Sequence, residues 1–290
     1  MSAPPDQPPT FEAPVPELTA PELMVLGTRT PLRAYLGDLW TRRHFARGLA
    51  DSDMRAKHMN SVLGQMWHLL NPAMMIFVYW LVFGLILDAR RGVENYISFL
   101  VIGVIIFRFT QNSIMGAAKS LAANLGLIRS IQFPRALVPI SEVYAQILAL
   151  IPGIVLVAIV AAIDGVRPGV ELLALPVVIG AAALFSTGIG LLAARASTTL
   201  ADLQQVLPHV FRILLYMSGV LFSVDAAIES QTIKDLFALN PFYCIITATR
   251  WSILGTPTSM WVPIALGIWT VLAVVIGFAW FRRGEHRYGA

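Results

Sequence analysis

Asn124-Leu-Gly-Leu-Ile-Arg-Ser-Ile-Gln-Phe-Pro-Arg135 separates two long apolar runs, at about 96–117 and 138–163. The stretch is polar, basic and broken by Pro134. Such a backbone has no place in hydrocarbon, where every N–H and C=O must find an internal partner. It has to be a loop or a short surface helix. The runs on either side each supply the roughly 20 apolar residues that a bilayer crossing requires.

Working outward, similar runs lie at about 69–87, 172–194 and 261–281, and a sixth, at about 203–224, is interrupted by His209 and Arg212. The chain is 57% hydrophobic and only 13% charged, about half the charge of a soluble domain. This pattern predicts an all-α polytopic membrane protein with six transmembrane helices. Of the 21 lysines and arginines, an inside N-terminus places fifteen on the cytoplasmic side, five outside and Arg108 within a span. That bias puts both termini in the cytoplasm. It also accounts for the net charge of +4 without a nucleic-acid partner.

The ends divide the chain into three regions. Residues 1–30 are rich in proline and acidic residues and lack the apolar core of a secretion signal, so they read as a disordered cytoplasmic tail. In residues 31–60, Leu32, Leu36, Leu39 and Trp40 recur at helical spacing beside Arg33, Arg42, Arg43 and Arg47. This is the pattern of an amphipathic helix in the inner headgroup layer, with a basic solvated helix as the alternative; Trp40 favours the first. Residues 61–290 hold the spans.

Within that last region Ile213–Val224 is too short to cross alone, and the polar Asp225–Asp235 and a second short apolar piece, Leu236–Ile246, follow it. A re-entrant hairpin on the outer side fits this order, with Asn240-Pro241 starting or ending an arm; an ordinary outer loop with a short helix is the alternative. Ala182, Ser186, Gly190 and Ala194 form a small-residue face suited to close helix packing. Phe77, Trp80, Phe83 and Leu87 form an aromatic and apolar stripe with Tyr79 beside it, either core and lipid packing or a surface for sugar rings. Arg108 and Glu142, of opposite sign, are expected to pair in the inner half of the membrane.

The motifs of catalysis are missing. Gly116-Ala-Ala-Lys119-Ser120 lacks the glycine before lysine that a phosphate-cradling loop needs. Asp51-Ser-Asp53 reads as a helix N-cap rather than a metal–nucleotide-sugar site. The five histidines show no metal-ligand spacing, and Cys244, the only cysteine, reads as a buried thiol. The expectation is no enzyme, no metal and no cofactor in this chain.

Ser61-Val-Leu-Gly64-Gln-Met-Trp67, Leu70-Asn-Pro72 and Val82-Phe-Gly84 resemble the entry to the first span of type-2 ATP-binding-cassette permeases that export polysaccharides such as O-antigen and teichoic acid. Asn124, Leu127, Ile128, Arg129, Phe133, Pro134, Arg135 and Pro139 resemble that family's coupling segment. Asp202 with Leu207-Pro208 resembles the entry to its fifth span, and Asn240, Pro241 and Arg250 its outer hairpin. Thr247 and Gly219 depart from the family pattern, standing where glutamate and proline are common. Within the family the chain is similar to permeases exporting lipid-linked galactan for the mycobacterial cell wall.

The resemblance implies a homodimeric permease in the cytoplasmic membrane, driven by two copies of an ATPase subunit that bind ATP and Mg. It implies a coupling helix at 124–135 and a polyprenyl-diphosphate-linked polysaccharide as substrate. Tyr79, Trp80, Phe83 and Tyr216 are then candidates to line the sugar path, and Arg42, Arg43 and Arg47 to contact the lipid diphosphate. A permease of the same architecture for a drug, lipid or small metabolite is the alternative.

Overall fold

A computed structural model describes residues 31–58, 67–86, 93–200 and 202–285. The proline-rich tail, most of the Ser61–Trp67 motif and Leu87 lie outside the described residues. The described residues form helices joined by turns and short unwound stretches, without strands. Two helices, α1 (Leu32–Thr41) and α2 (Arg43–His58), precede α3 (Trp67–Tyr79), which continues as a π-helix over Trp80–Ile86. Then come α4 (Tyr96–Ala123), the short α5 (Leu125–Ser130) and α6 (Leu137–Ile163). A 3₁₀ turn at Val170–Ala174 leads into α7 (Leu175–Thr199), followed by α8 (Leu203–Met217). Two small helices, α9 (Val224–Ala227) and α10 (Gln231–Ala238), precede α11 (Pro241–Leu254) and α12 (Trp261–Arg283).

Four of these are long and apolar enough to cross a membrane: α4, α6, α7 with its 3₁₀ turn, and α12. The stretch Leu70–Ile86 is apolar but shorter. Burial sorts them in the way lipid demands. α4 is the central helix, with Phe99–Phe107 enclosed almost completely by α6, α7 and α11. α6 and α12 instead present Ile151, Val155, Ile159, Ile268, Val271 and Val275 outward. An apolar exterior of this extent belongs against hydrocarbon rather than water.

The small-residue face of α7 is an internal contact. Ala182, Ser186, Gly190 and Ala194 are all buried, and a Cβ on Gly190 would meet the Ala117 methyl of α4 at 2.8 Å. A second close approach joins α7 to α12, where a Cβ on Gly188 would strike the backbone of Ala273 and one on Gly277 the backbone of Gly188. Direct backbone approach of this kind is how helices pack where no hydrophobic effect draws them together.

The irregular region forms a helical hairpin. α8 stops at Met217 because Gly219 takes a left-handed φ of +61°, which glycine adopts freely and proline cannot. The chain then runs unwound to Ser223, with the Leu221 carbonyl accepting from the Tyr96 hydroxyl at 2.9 Å. α10 and α11 are joined by a turn at Leu239-Asn240. The Leu239 carbonyl accepts from Trp269 Nε1 at 3.0 Å, eight residues inside α12. Asn240 caps α11 by accepting from the Phe242 amide, and its Nδ2 donates to the Met217 carbonyl and Ser218 Oγ at the end of α8. Pro241 occupies the first turn, where its missing N–H costs nothing.

Three expectations are revised. Asp51 and Asp53 lie inside α2, not at a helix N-terminus, because the helix started at Arg43 runs on without a breaker. α4 runs to Ala123, six residues past the expected end at 117, with Arg108 the thirteenth of its 28 residues. Glu142 stands over Gly116, with Oε2 2.9 Å from where a Cβ would be, whereas Arg108 faces a cleft eight residues back along α4. Cys244 is a free, buried thiol, as expected.

Candidate functional site

Three segments distant in sequence meet at the end of the bundle that carries α1, α2 and α5. Asn124 closes α4, its Nδ2 donating to the Ser120 carbonyl at 2.9 Å, and its own carbonyl accepts the Ile128 amide to open α5. A six-residue helix is far too short to stand alone. α5 is held because Ile128 is buried among Tyr35, Leu121, Ala136, Val138 and Phe281. Leu127 is half-buried, whereas Leu125, Arg129 and Ile131 face outward, leaving a mixed apolar and basic face free.

Beyond α5 the segment is tied down at each step. The Gln132 carbonyl accepts from Arg42 Nη1 at 2.9 Å, and Arg42 is itself held by Asp38 at 2.8 Å. The Phe133 ring packs against Phe45, with centroids 5.0 Å apart, and Pro134 is buried. Glu285 Oε1 accepts from both the Arg135 amide, at 2.9 Å, and the Tyr35 hydroxyl, at 2.8 Å. The Arg135 guanidinium donates to the Glu285 carbonyl. Burial, reinforced by the Glu285 carboxylate, pushes the Tyr35 phenol well above its ordinary range, so it remains a donor. One junction thus binds α1 and α2, the 124–135 segment and the end of α12.

The structure finds partners within the chain for all three candidate arginines of the interface helices. Arg42 ties α1 to the 124–135 segment. Arg43 donates to the Trp40 carbonyl and lies 4.9 Å from the centre of its ring, while Arg47 lies 5.9 Å from that of Tyr144. On the other face of α1, Leu32, Leu36 and Trp40 are exposed, Trp40 to 71%. Outward apolar side chains beside arginines match a helix resting in a headgroup layer.

Tyr79, Trp80 and Phe83 pack on the core, whereas Phe77 is exposed, its ring 6.2 Å from that of Trp80 between centroids. Tyr79 and Phe83 are in ring contact, 6.4 Å between centroids. Tyr79 also lies within electrostatic reach of Tyr216, Arg108 and Arg212. Tyr79 and Tyr216, 137 positions apart in the chain, are therefore brought to one side of the bundle.

At the opposite end Arg250 fastens the hairpin. Its guanidinium is buried and donates to the Phe99 carbonyl through Nε and Nη2, and to the Gly219 and Val220 carbonyls at 2.8 Å. It also lies over the Phe99 ring. Thr247 lines a nearby cleft with Glu94, Asp225 and Tyr243.

Sequence reasoning missed one polar site. Asn71 on α3, Arg108 and Asn112 on α4 and Gln146 on α6 line a cleft of about 220 Å³. Amides scattered through apolar runs are the signal that was there to read.

A family model described as ABC-2 type transporter matches residues 49–254. The O-antigen export system permease protein RfbA of Myxococcus xanthus is 22% identical over 211 residues, 73% of this chain and 80% of that protein. A protein of the same name from Klebsiella pneumoniae is 22% identical over 241 residues, 83% of this chain and 92% of that protein.

Proposed function

Because the chain belongs to the ABC-2 type transporter family, we propose that it is the permease of an ATP-driven exporter of a lipid-linked polysaccharide. O-antigen is the cargo class its similar permeases are named for, and a polyprenyl-diphosphate-linked galactan is the specific cargo proposed. The observation that carries the reading is the junction at α5. It presents a small exposed helix, rigidly tied to three parts of the bundle, as a partner ATPase needs in order to move membrane helices.

In this reading the chain crosses the cytoplasmic membrane six times with both termini inside. α3 with its π-helix, α4, α6, α7 and α12 supply five crossings, and α8 with the unwound 218–223 supplies the other. The α10–α11 hairpin enters from outside. Two copies pair, and two ATPase subunits bind ATP and Mg and press on α5. Gly116–Ser120 lies within α4, so its amides are engaged in helical bonds and offer no phosphate cradle. Tyr79, Trp80, Phe83 and Tyr216 would line the sugar path, since aromatic faces hold sugar rings without tight binding. Arg43 and Arg47, with Arg42, would meet the lipid diphosphate at the inner headgroup level, where cationic side chains suit it. Neutralising Arg43 and Arg47, which do not tie the junction, should lower export while leaving assembly intact.

Conditional depletion followed by analysis of membrane glycolipids tests the proposal. Accumulation of an unexported polyprenyl-linked polymer is expected, and its sugar names the cargo. Unchanged glycolipid pools after confirmed depletion would overturn the polysaccharide reading in favour of a drug, lipid or metabolite cargo.

A further inference from the structure

Arg108 is the thirteenth of 28 residues in α4, about 18 Å from one helix end and about 22 Å from the other. It is half-buried, and its Nη1 is shielded from solvent without a hydrogen-bond partner among the described residues. A guanidinium stays charged at physiological pH. Inside a membrane such a charge is costly, and where one occurs it faces a cavity or a partner. The cleft it faces contains Asn71, Asn112 and Gln146 but no carboxylate. Glu142, the nearest acidic residue along α6, stands over Gly116 instead. The cleft therefore offers one permanent cation and three amides that can turn either N–H or C=O inward. That set complements an anion with several acceptor oxygens.

Its surroundings say which kind. Arg108 and a second cation, Arg212, both act on Tyr79, which together with Tyr216 belongs to the proposed path. Charge-assisted donors in a planar fork match phosphate oxygens better than any single ammonium. We infer that Arg108, with Asn71, Asn112 and Gln146, forms a phosphate-binding site midway along α4. It would hold the diphosphate of the lipid carrier at a stage separate from its first contact with α1 and α2. The inference deepens the export reading and rests on it for the identity of the carrier.

The test uses the full chain, purified in detergent as its native assembly, and three probes: a polyprenyl diphosphate, the uncharged polyprenol and inorganic pyrophosphate. The diphosphate should bind at least about ten-fold more tightly than the polyprenol, a difference of about 1.4 kcal/mol. Arg108→Gln should lower that preference to whatever α1 and α2 alone provide, and Arg108→Lys should keep more of it. Asn112→Asp, at an exposed position on α4, places a carboxylate beside the cation and should lower the preference without removing Arg108, which covers the case of a Gln variant that does not fold. Competition by inorganic pyrophosphate would show that the headgroup alone suffices. Preference without such competition would show that the site reads a lipid headgroup; both outcomes support it. Equal binding of diphosphate and polyprenol, or a preference untouched in Arg108→Gln and Asn112→Asp, would overturn it. Failure of the export reading appears separately, as unchanged glycolipids on depletion, and leaves this binding measurement standing.

Discussion

Replacing Arg250 by methionine keeps most of the side chain's reach and removes every donor. The three carbonyls it serves are not equal. Phe99 lies in α4 and retains its helical partner, so losing Arg250 leaves it satisfied. Gly219 and Val220 lie in the unwound stretch after α8, and no backbone N–H among the described residues reaches their carbonyls. Two buried acceptors are orphaned, at about 1–3 kcal/mol each. Loss of the guanidinium over the Phe99 ring adds about 1 kcal/mol. A total near 4 kcal/mol corresponds to a fall in Tm of about 10 °C for a chain of this size. Thermal unfolding followed by tryptophan fluorescence, in detergent, measures it. Arg250→Lys should fall between, since an ammonium cannot span carbonyls on two segments as a planar fork does. Hydrogen exchange should place the loosening in 218–223 and 241–254. A Tm within about 2 °C of the parent for Arg250→Met would refute the clamp, because it would mean that those carbonyls are satisfied without it.

Three further outcomes are expected. Glu285→Ala removes the acceptor shared by Tyr35 and the Arg135 amide, so exchange at Arg135 should rise about ten-fold or more, and export should fall while the partner's ATP hydrolysis persists; unchanged exchange would show that the junction is not held there. Gly188→Leu should cost about 3 kcal/mol or more and lower the yield of folded protein, because its side chain would enter the α12 backbone at Ala273, whereas Gly180→Leu, where a Cβ meets nothing, should be neutral. The Tyr35 phenol is raised in the folded state, so its contribution to stability is complete below the ordinary value of about 10 and is lost progressively as pH climbs from there through the raised one. Ultraviolet titration of the folded protein and of Tyr35→Phe should therefore coincide from pH 6 to 10, and a Tyr35-dependent signal in that interval would contradict its burial.

Much of the architecture is legible in the sequence. Long apolar runs have few conformational options in a bilayer, so the positions of α4, α6, α7 and α12 follow from hydropathy, and the polar break at 124–135 from the impossibility of burying it. Asn240-Pro241 could be read as an interruption because proline restricts the residue before it. The Ala182–Ala194 face announced a close contact, though not its partner, α4. Where local rules misled, a neighbouring constraint was the cause. Asp51 and Asp53 looked like caps but sit inside a helix already propagating from Arg43.

The sequence by itself determined the class of the protein, the order of its helices and the segment that must lie outside the membrane. These depend on transfer of each stretch between water and lipid, a property local to that stretch. Only the tertiary structure decided that Glu285 joins Tyr35 to Arg135, that Arg250 spans the break after α8, and that Arg108 shares a cleft with Asn71 and Gln146 of two other helices. Hydrogen bonds and ion contacts act over a few ångströms, so their partners are set by how helices pack, and no spacing along the chain records that.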